Sequence, residues 1–581
     1  MSIIDRRQFH RPSSSCMSLR RIPKIGIETA AALIGTVFSA MLLALTAMNA
    51  GPLWRDETNT YNLAHMPSLR DMWHNLLFET FPLLWPLLVR GFGMFGLTGD
   101  MGIRILGLGI GLFFLTSLWV CQRWIGGRAP ILSIALLGGL PAFIFTVGAN
   151  RAYGLASCLL VLSFGKIWQV LESPSKSRML SAGLISLLFV QCVYYDVVFL
   201  AAMVAAGALV GIRRQHWKIV WTMASIGSLA AASLLIYLPM IHPSPEYVSF
   251  SRSPFFDVAS LWDGLKKALA TRSSADPHGA SGPQMWIWIG LSLAGIIVAI
   301  VLQRTRASQT LKPDVSSKSN NALRSDLALF CLTSMVLGVI GYTGFLLKLQ
   351  FFVQPWYYVE ILILCAISLD GILSASWPTL RPWGLLRIVF LVEMMVLNAR
   401  PAWAEAHTRR SNLDVVADFL SHKASASDVI VLQDAWEGIT FNRYYHGHAR
   451  WLTVPPIDSH DLHQIDLVMA EMKQPEAMAP VLRAITDTLG SGHDVWVVGS
   501  IPIARWNNSP PGPTPLPPLP SEMSTRWWFG SYLQWWNQQI TTLLLEHAQE
   551  AKTETIVTPG PVNHFENVSV ARFTGYKPSV E

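Results

Sequence analysis

Through the first 400 residues, long apolar runs alternate with short polar turns. A bilayer core of about 30 Å takes roughly 20 apolar residues in a helix. Eleven segments meet that need, at 26–48, 100–122, 129–148, 152–171, 179–195, 196–212, 218–241, 284–302, 326–346, 356–374 and 383–399. The run from Phe81 to Gly96 is shorter and is broken by Pro82, Pro86, Arg90, Gly91 and Gly93, so it is expected at the interface rather than across the bilayer. From about Arg400 the pattern changes to that of a soluble domain. Ser411 to His422 reads as a capped helix, Asp428 to Gln433 and Asp494 to Gly499 read as short buried strands, and 476–490 between them is helical in period. That alternation predicts a small α/β domain. Seven prolines between Asn507 and Pro520 predict an extended connector inside it.

Composition agrees with this division. The 581 residues are 51% hydrophobic and 14% charged, where soluble domains carry nearer 25% charge. A wholly soluble enzyme, a secreted disulfide scaffold and a disordered chain are excluded. The formal charge of +7 has a topological reading. With the 81–96 segment left out of the count of spans, the loops on the N-terminal side hold twenty Lys and Arg and the opposite loops hold nine. The positive-inside bias therefore places residues 1–25 in the cytoplasm, the loop 49–99 outside, and residues 401–581 outside as well. The expected molecule is an α-helical polytopic protein of the inner (cytoplasmic) membrane, with a membrane domain over 26–400 and a C-terminal extracytoplasmic α/β domain. No basic stripe suggests nucleic acid as a partner; membrane lipids are the partner expected instead. Of the six cysteines, all but Cys16 lie in apolar segments, which speaks against a disulfide framework or a thiolate zinc site.

Candidate chemistry concentrates on the outer side. Trp54-Arg55-Asp56-Glu57 follows the first span directly. Adjacent carboxylates at a membrane exit can serve as a general base, as metal ligands, or simply as the ordinary charge of a loop. A divalent cation such as Mg²⁺ or Mn²⁺ would suit Asp56 and Glu57 together with a phosphate. The aromatic stretch from Tyr61 to Trp85 is expected to lie flat and roof these groups. Arg151, in Asn150-Arg151-Ala152-Tyr153-Gly154, reads either as a phosphate-binding fork or as an interfacial anchor. Tyr194-Tyr195-Asp196 ends another span on the same side. The long outer loop 242–283 holds Arg252, Lys266, Lys267 and Arg272, with amphipathic spacing over Phe256 to Ala270. It reads as a cover for a lipid phosphate or as an interfacial helix. Glu360 and Glu393 fall within spans, where ionisable groups usually face the bundle interior. His446 and His448 read as surface loop.

The order of these features resembles the GT-C superfamily, polytopic glycosyltransferases that use polyprenyl-phosphate sugars. The layout in question is a first span, the outer Asp-Glu pair, a short apolar helix ending in Phe95-Gly96, a span opening with Gly102-Ile103-Arg104, and Arg151-x-Tyr153-Gly154 at an outer end. The branch it looks most like contains the protein O-mannosyltransferases and aminoarabinose lipid A transferases, over residues 25–240. The resemblance implies a GT-C-like membrane domain in which Asp56 and Glu57 are the catalytic acidic pair. Arg55, Arg151, Tyr153, Tyr194, Tyr195 and Tyr357 would then contact substrate. It further implies transfer of a sugar from the lipid carrier to a lipid, glycan or protein acceptor, and relatives that work without a metal leave the cation open. Two departures stand out. Phe81-Pro82-Leu83-Leu84 replaces a His-Pro-Pro-Leu motif. Gln354-Pro355-Trp356-Tyr357-Tyr358 keeps the family's aromatics but lacks its arginine, so Lys348 is the candidate replacement cation, or else a snorkelling anchor. A transporter or flippase of lipid-linked saccharide is the alternative; repeated halves and broken helices at matching positions would mark it, and neither is legible in the sequence.

Overall fold

The computed structural model describes residues 26–127, 129–241, 256–270, 272–276, 282–309, 315–350, 353–380, 384–499 and 529–578. The N-terminal segment 1–25, Arg252 and the proline-rich connector lie outside the described residues. Among those described, eight helices are long and apolar enough to cross a bilayer, and the molecule is an α-helical polytopic membrane protein with a C-terminal α/β domain. The bundle begins with α1 (Ile27–Asn49), followed by the short helices α2 (Arg55–Ala64), α3 (Leu69–His74) and α4 (Leu84–Met94). It continues through α5 (Gly99–Trp124), α6 (Ile131–Leu137), α7 (Pro141–Val147), α8 (Tyr153–Glu172), α9 (Lys176–Val190), α10 (Asp196–Arg213) and α11 (Trp217–Ser233). Four long helices complete it, Gln284–Gln309, Val315–Leu349, Val359–Leu380 and Gly384–Ala406.

Three of the eleven expected spans differ from a continuous apolar rod. Residues 129–148 form two seven-residue helices, α6 and α7, because Pro141 has no amide hydrogen to continue a helix and instead opens a new one. Helix α9 has only 15 residues. Helix Gly384–Ala406 carries Arg387, Glu393 and Arg400 along its length, and Glu393 is exposed rather than turned inward. Glu360 is buried as expected. The 81–96 run contains the 11-residue helix α4, too short to span a bilayer. In the 242–283 loop, the helix Val258–Ala268 carries Lys266 and Lys267 in its last turn.

The C-terminal domain is built on a five-stranded sheet in the order β2-β1-β3-β5-β4. The strands are β1 (Val429–Leu432), β2 (Arg450–Thr453), β3 (Val495–Val498), β4 (Ala548–Glu554) and β5 (Val570–Tyr576). β2, β1 and β3 are parallel, while β5 and β4 run antiparallel. The central strands are buried on both faces, as their unbroken apolar sequences require. Val429, Val431, Val495 and Val497 face Val481, Ile485, Trp536 and Ile540. Ile430, Leu432, Trp496 and Val498 face Leu413, Val416, Leu420 and Phe441. Trp496 and Trp536 are thus core residues, and His446 and His448 are exposed.

Candidate functional site

The site forms where α2 passes between the bundle and the C-terminal domain. Asp56 and Glu57 occupy consecutive positions near the start of α2, so their side chains leave the helix about 100° apart and meet different surroundings. Glu57 points into the bundle and is fully buried. Its Oε1 accepts from Arg104 Nη1 at 2.7 Å and from the Asn150 amide at 2.9 Å, and its Oε2 accepts from the Trp54 amide at 3.4 Å. Arg104 also donates to the Pro52 carbonyl at 2.6 Å. Burial pushes the Glu57 carboxyl up, but Arg104, with Arg410 and these hydrogen bonds, outweighs it and holds the group below the usual carboxylate range.

This closeness has a backbone cause. Helix α5, which carries Arg104, passes so near the turn after α7 that a Cβ on Gly107 would lie 2.4 Å from the Gly148 carbonyl oxygen. The same approach brings Asn150 and Arg151 against α2.

Asp56 points the other way. Its side chain keeps 24% exposure and accepts no side-chain hydrogen bond among the described residues. Arg55 Nε lies 3.9 Å and His463 Nε2 3.7 Å from its Oδ1. Burial would raise its pKa; Arg151, His463 and Arg55 together reverse this and keep it below the ordinary value. Arg55 is itself shared with Asp434 across the domain boundary at 3.9 Å.

Arg151 is more committed than a free phosphate fork. Its Nη1 donates to the Asp56 carbonyl at 3.0 Å and to Thr60 Oγ1 at 2.9 Å, and lies 3.0 Å from Glu79 Oε1. Its Nη2 donates to Thr80 Oγ1 at 3.2 Å, and the guanidinium lies over the Phe81 ring at 4.3 Å. Glu79 accepts in turn from Thr60 Oγ1 at 2.6 Å and Asn59 Nδ2 at 3.1 Å. The position where a histidine was missing is thus filled by an aromatic floor beneath Arg151.

Tyr153 packs edge-on to Phe81 at 5.1 Å and to Tyr357 at 6.2 Å, and Tyr357 is within electrostatic reach of Asp56. Tyr194 packs against Tyr237 at 5.7 Å and faces the Glu79 side. Tyr195 turns away into the bundle, against Tyr342 at 5.2 Å. Lys348 is exposed near the end of its helix and makes no hydrogen bond or ion pair among the described residues. The structure therefore gathers Arg55, Asp56, Arg151, Tyr153 and Tyr357, sets Glu57 beneath them, and leaves Tyr195 and Lys348 apart.

Asp56 and Glu57 do not fit a divalent cation as a pair, because Glu57 spends its oxygens on Arg104, Asn150 and Trp54 and faces away from Asp56. No group of three or more His, Cys, Asp or Glu among the described residues is arranged to hold a metal ion.

Sequence reasoning missed Glu79, Arg104 as a partner for Glu57, and His463. Glu79 stands directly before the Thr80-Phe81-Pro82 turn, a polar residue opening an apolar run, which is a readable if faint signal. His463 had none, being 407 positions from Asp56.

No protein-family model matches the chain, and no curated protein matches it. Among solved structures the chain is similar to the crystal structure of ArnT from Cupriavidus metallidurans bound to undecaprenyl phosphate. The identity is 13% and the TM-score 0.36, over 82% of this chain and 94% of that one.

Proposed function

We propose that the protein is a membrane glycosyltransferase that moves a sugar from a polyprenyl-phosphate carrier to a hydroxyl or amine of a lipid, glycan or protein acceptor. The reaction would take place on the outer face of the cytoplasmic membrane. The observation that carries this reading is the Asp56 carboxylate, about a quarter exposed and without a side-chain hydrogen bond among the described residues, in a site where the neighbouring carboxylates Glu57 and Glu79 are consumed by arginines. The order of motifs described above supplies the substrate class.

In the reaction the acceptor oxygen or nitrogen bonds to the anomeric carbon while its proton passes to Asp56. The bond from that carbon to the phosphate oxygen breaks, and the electron pair leaves on polyprenyl phosphate. The leaving group needs no proton; it needs cations, and Arg55, about a quarter exposed beside Asp56, is the side chain that meets it. Arg151 contributes mainly by holding Glu79 and the start of α2 in place. No step requires a metal at the Asp56-Glu57 pair.

Purified protein in proteoliposomes, supplied with lipid-linked sugars together with the lipid and glycan acceptors of a bacterial envelope extract, should release free polyprenyl phosphate, measured by mass spectrometry. Asp56→Asn should lower that rate by about 10²-fold or more while leaving the melting temperature in detergent unchanged. Undiminished release by the variant would overturn the assignment.

A further inference from the structure

The C-terminal domain meets α2 along one helical face. Asn62 Nδ2 donates to the Asp461 carbonyl at 2.8 Å, and the His463 amide donates to Asn59 Oδ1 at 2.8 Å. Asp56, Asn59 and Asn62 are spaced by three residues, which puts them in a row on that face. The two asparagines thus seat the segment 461–463 so that the third position of the row, Asp56, receives the imidazole. Asn59 also donates from Nδ2 to Glu79 and to the Phe78 carbonyl at 3.2 Å, so the seat is tied to the Arg151 to Glu79 pair. On its other side the His463 ring meets Trp436 edge-on at 5.4 Å, which fixes the plane of the ring. The ring therefore has a defined orientation, with Nε2 directed at Asp56 Oδ1 from 3.7 Å. That gap is longer than a hydrogen bond, but catalytic hydrogen bonds in ligand-free sites are often long and tighten when substrate is bound.

We infer that His463 is a positioning residue for Asp56. Its Nε2–H donates to Oδ1 in the loaded site, which turns Oδ2 toward the acceptor, and the C-terminal domain is thereby a working part of the active site. The inference rests on the glycosyltransferase reading and deepens it. Orientation of a reacting group is worth large factors, since displacements of about 1 Å can cost about 10²-fold.

The test compares His463→Gln, which keeps an N–H donor near the Nε2 position, with His463→Met, which fills similar space without a donor. The readout is polyprenyl phosphate release in the proteoliposome assay. The expected result is a fall in kcat of about 10-fold or more for the Met variant, with KM for the lipid-linked sugar and the melting temperature unchanged, and substantial recovery of kcat in the Gln variant. Equal rates in both variants, whether normal or reduced, would overturn the inference, as would a change confined to KM or to melting. Asp56→Asn measured alongside separates the two ideas. An active Asp56→Asn protein removes the base assignment itself, whereas an inactive one beside a normal Met variant removes only the role of His463.

Discussion

At the residue scale, Asp56 and Glu57 share a backbone and diverge in environment. Asp56, its side chain about a quarter exposed, lies among Arg55, Arg151 and His463, and the cationic surroundings, Arg151 foremost, outweigh burial and leave its pKa depressed. A group with a depressed folded-state pKa keeps its charged-state contribution above the ordinary value and loses it as pH falls through the lowered one. Transfer is therefore expected to stay level between about pH 7 and about pH 5 and to decline only below about pH 4, as read by a pH profile of kcat. Glu57 has a structural duty instead. Glu57→Gln leaves Arg104 buried without its counter-charge, with both side chains at most 4% exposed in the native pair. A loss on the order of 3–5 kcal/mol is expected, visible as a lower melting temperature in detergent. The acidic pair was legible from sequence; which member stays open was not, because that depends on what α5 and the 461–463 segment bring to each side of the helix.

At the element scale, one helix crossing organises the site. Gly107 of α5 lies so close to the Gly148 carbonyl that any Cβ must push the two apart, and the turn that follows carries both Asn150 and Arg151. Gly107→Ala should cost about 1–3 kcal/mol through overpacking. It should also lower kcat, because the Asn150 contact to Glu57 and the Arg151 contact to Glu79 move with the turn. Thermal melting and release kinetics on the same preparation check both parts. Hydropathy found this region, since 129–148 is almost uniformly apolar, but averaging over the window hid the break at Pro141. The bend is set by one missing amide hydrogen, which a mean over roughly 20 residues does not register.

At the scale of the whole molecule, the C-terminal domain is docked rather than tethered alongside. Arg443 reaches Asp100 at 2.7 Å and Tyr444 donates to the same carboxylate at 2.5 Å. Glu566, 1% exposed, accepts from the Arg55 amide at 3.1 Å and from Thr440 at 3.2 Å. Burial, opposed by Arg55, raises Glu566 to about 7. A carboxyl whose folded-state pKa is raised contributes stability below its unfolded value and loses it as pH rises through the folded one. Docking is thus expected to weaken as pH climbs from about 4.5 to about 7 and to level off above that. Glu566→Gln should make that dependence shallower, as read from melting temperature across pH; an unchanged slope would exclude Glu566 as its source.

Membrane character, a C-terminal α/β domain and the adjacency of Asp56 and Glu57 followed from the sequence alone. They rest on local properties, namely apolar length, strand and helix periodicity, and adjacent charge. The partners of those charges are separated by up to hundreds of residues, as with Arg104, Glu79 and His463. Only tertiary structure decided that Glu57 is neutralised and Asp56 left open, because a carboxylate's availability depends on which cations the fold places within a few ångströms of it.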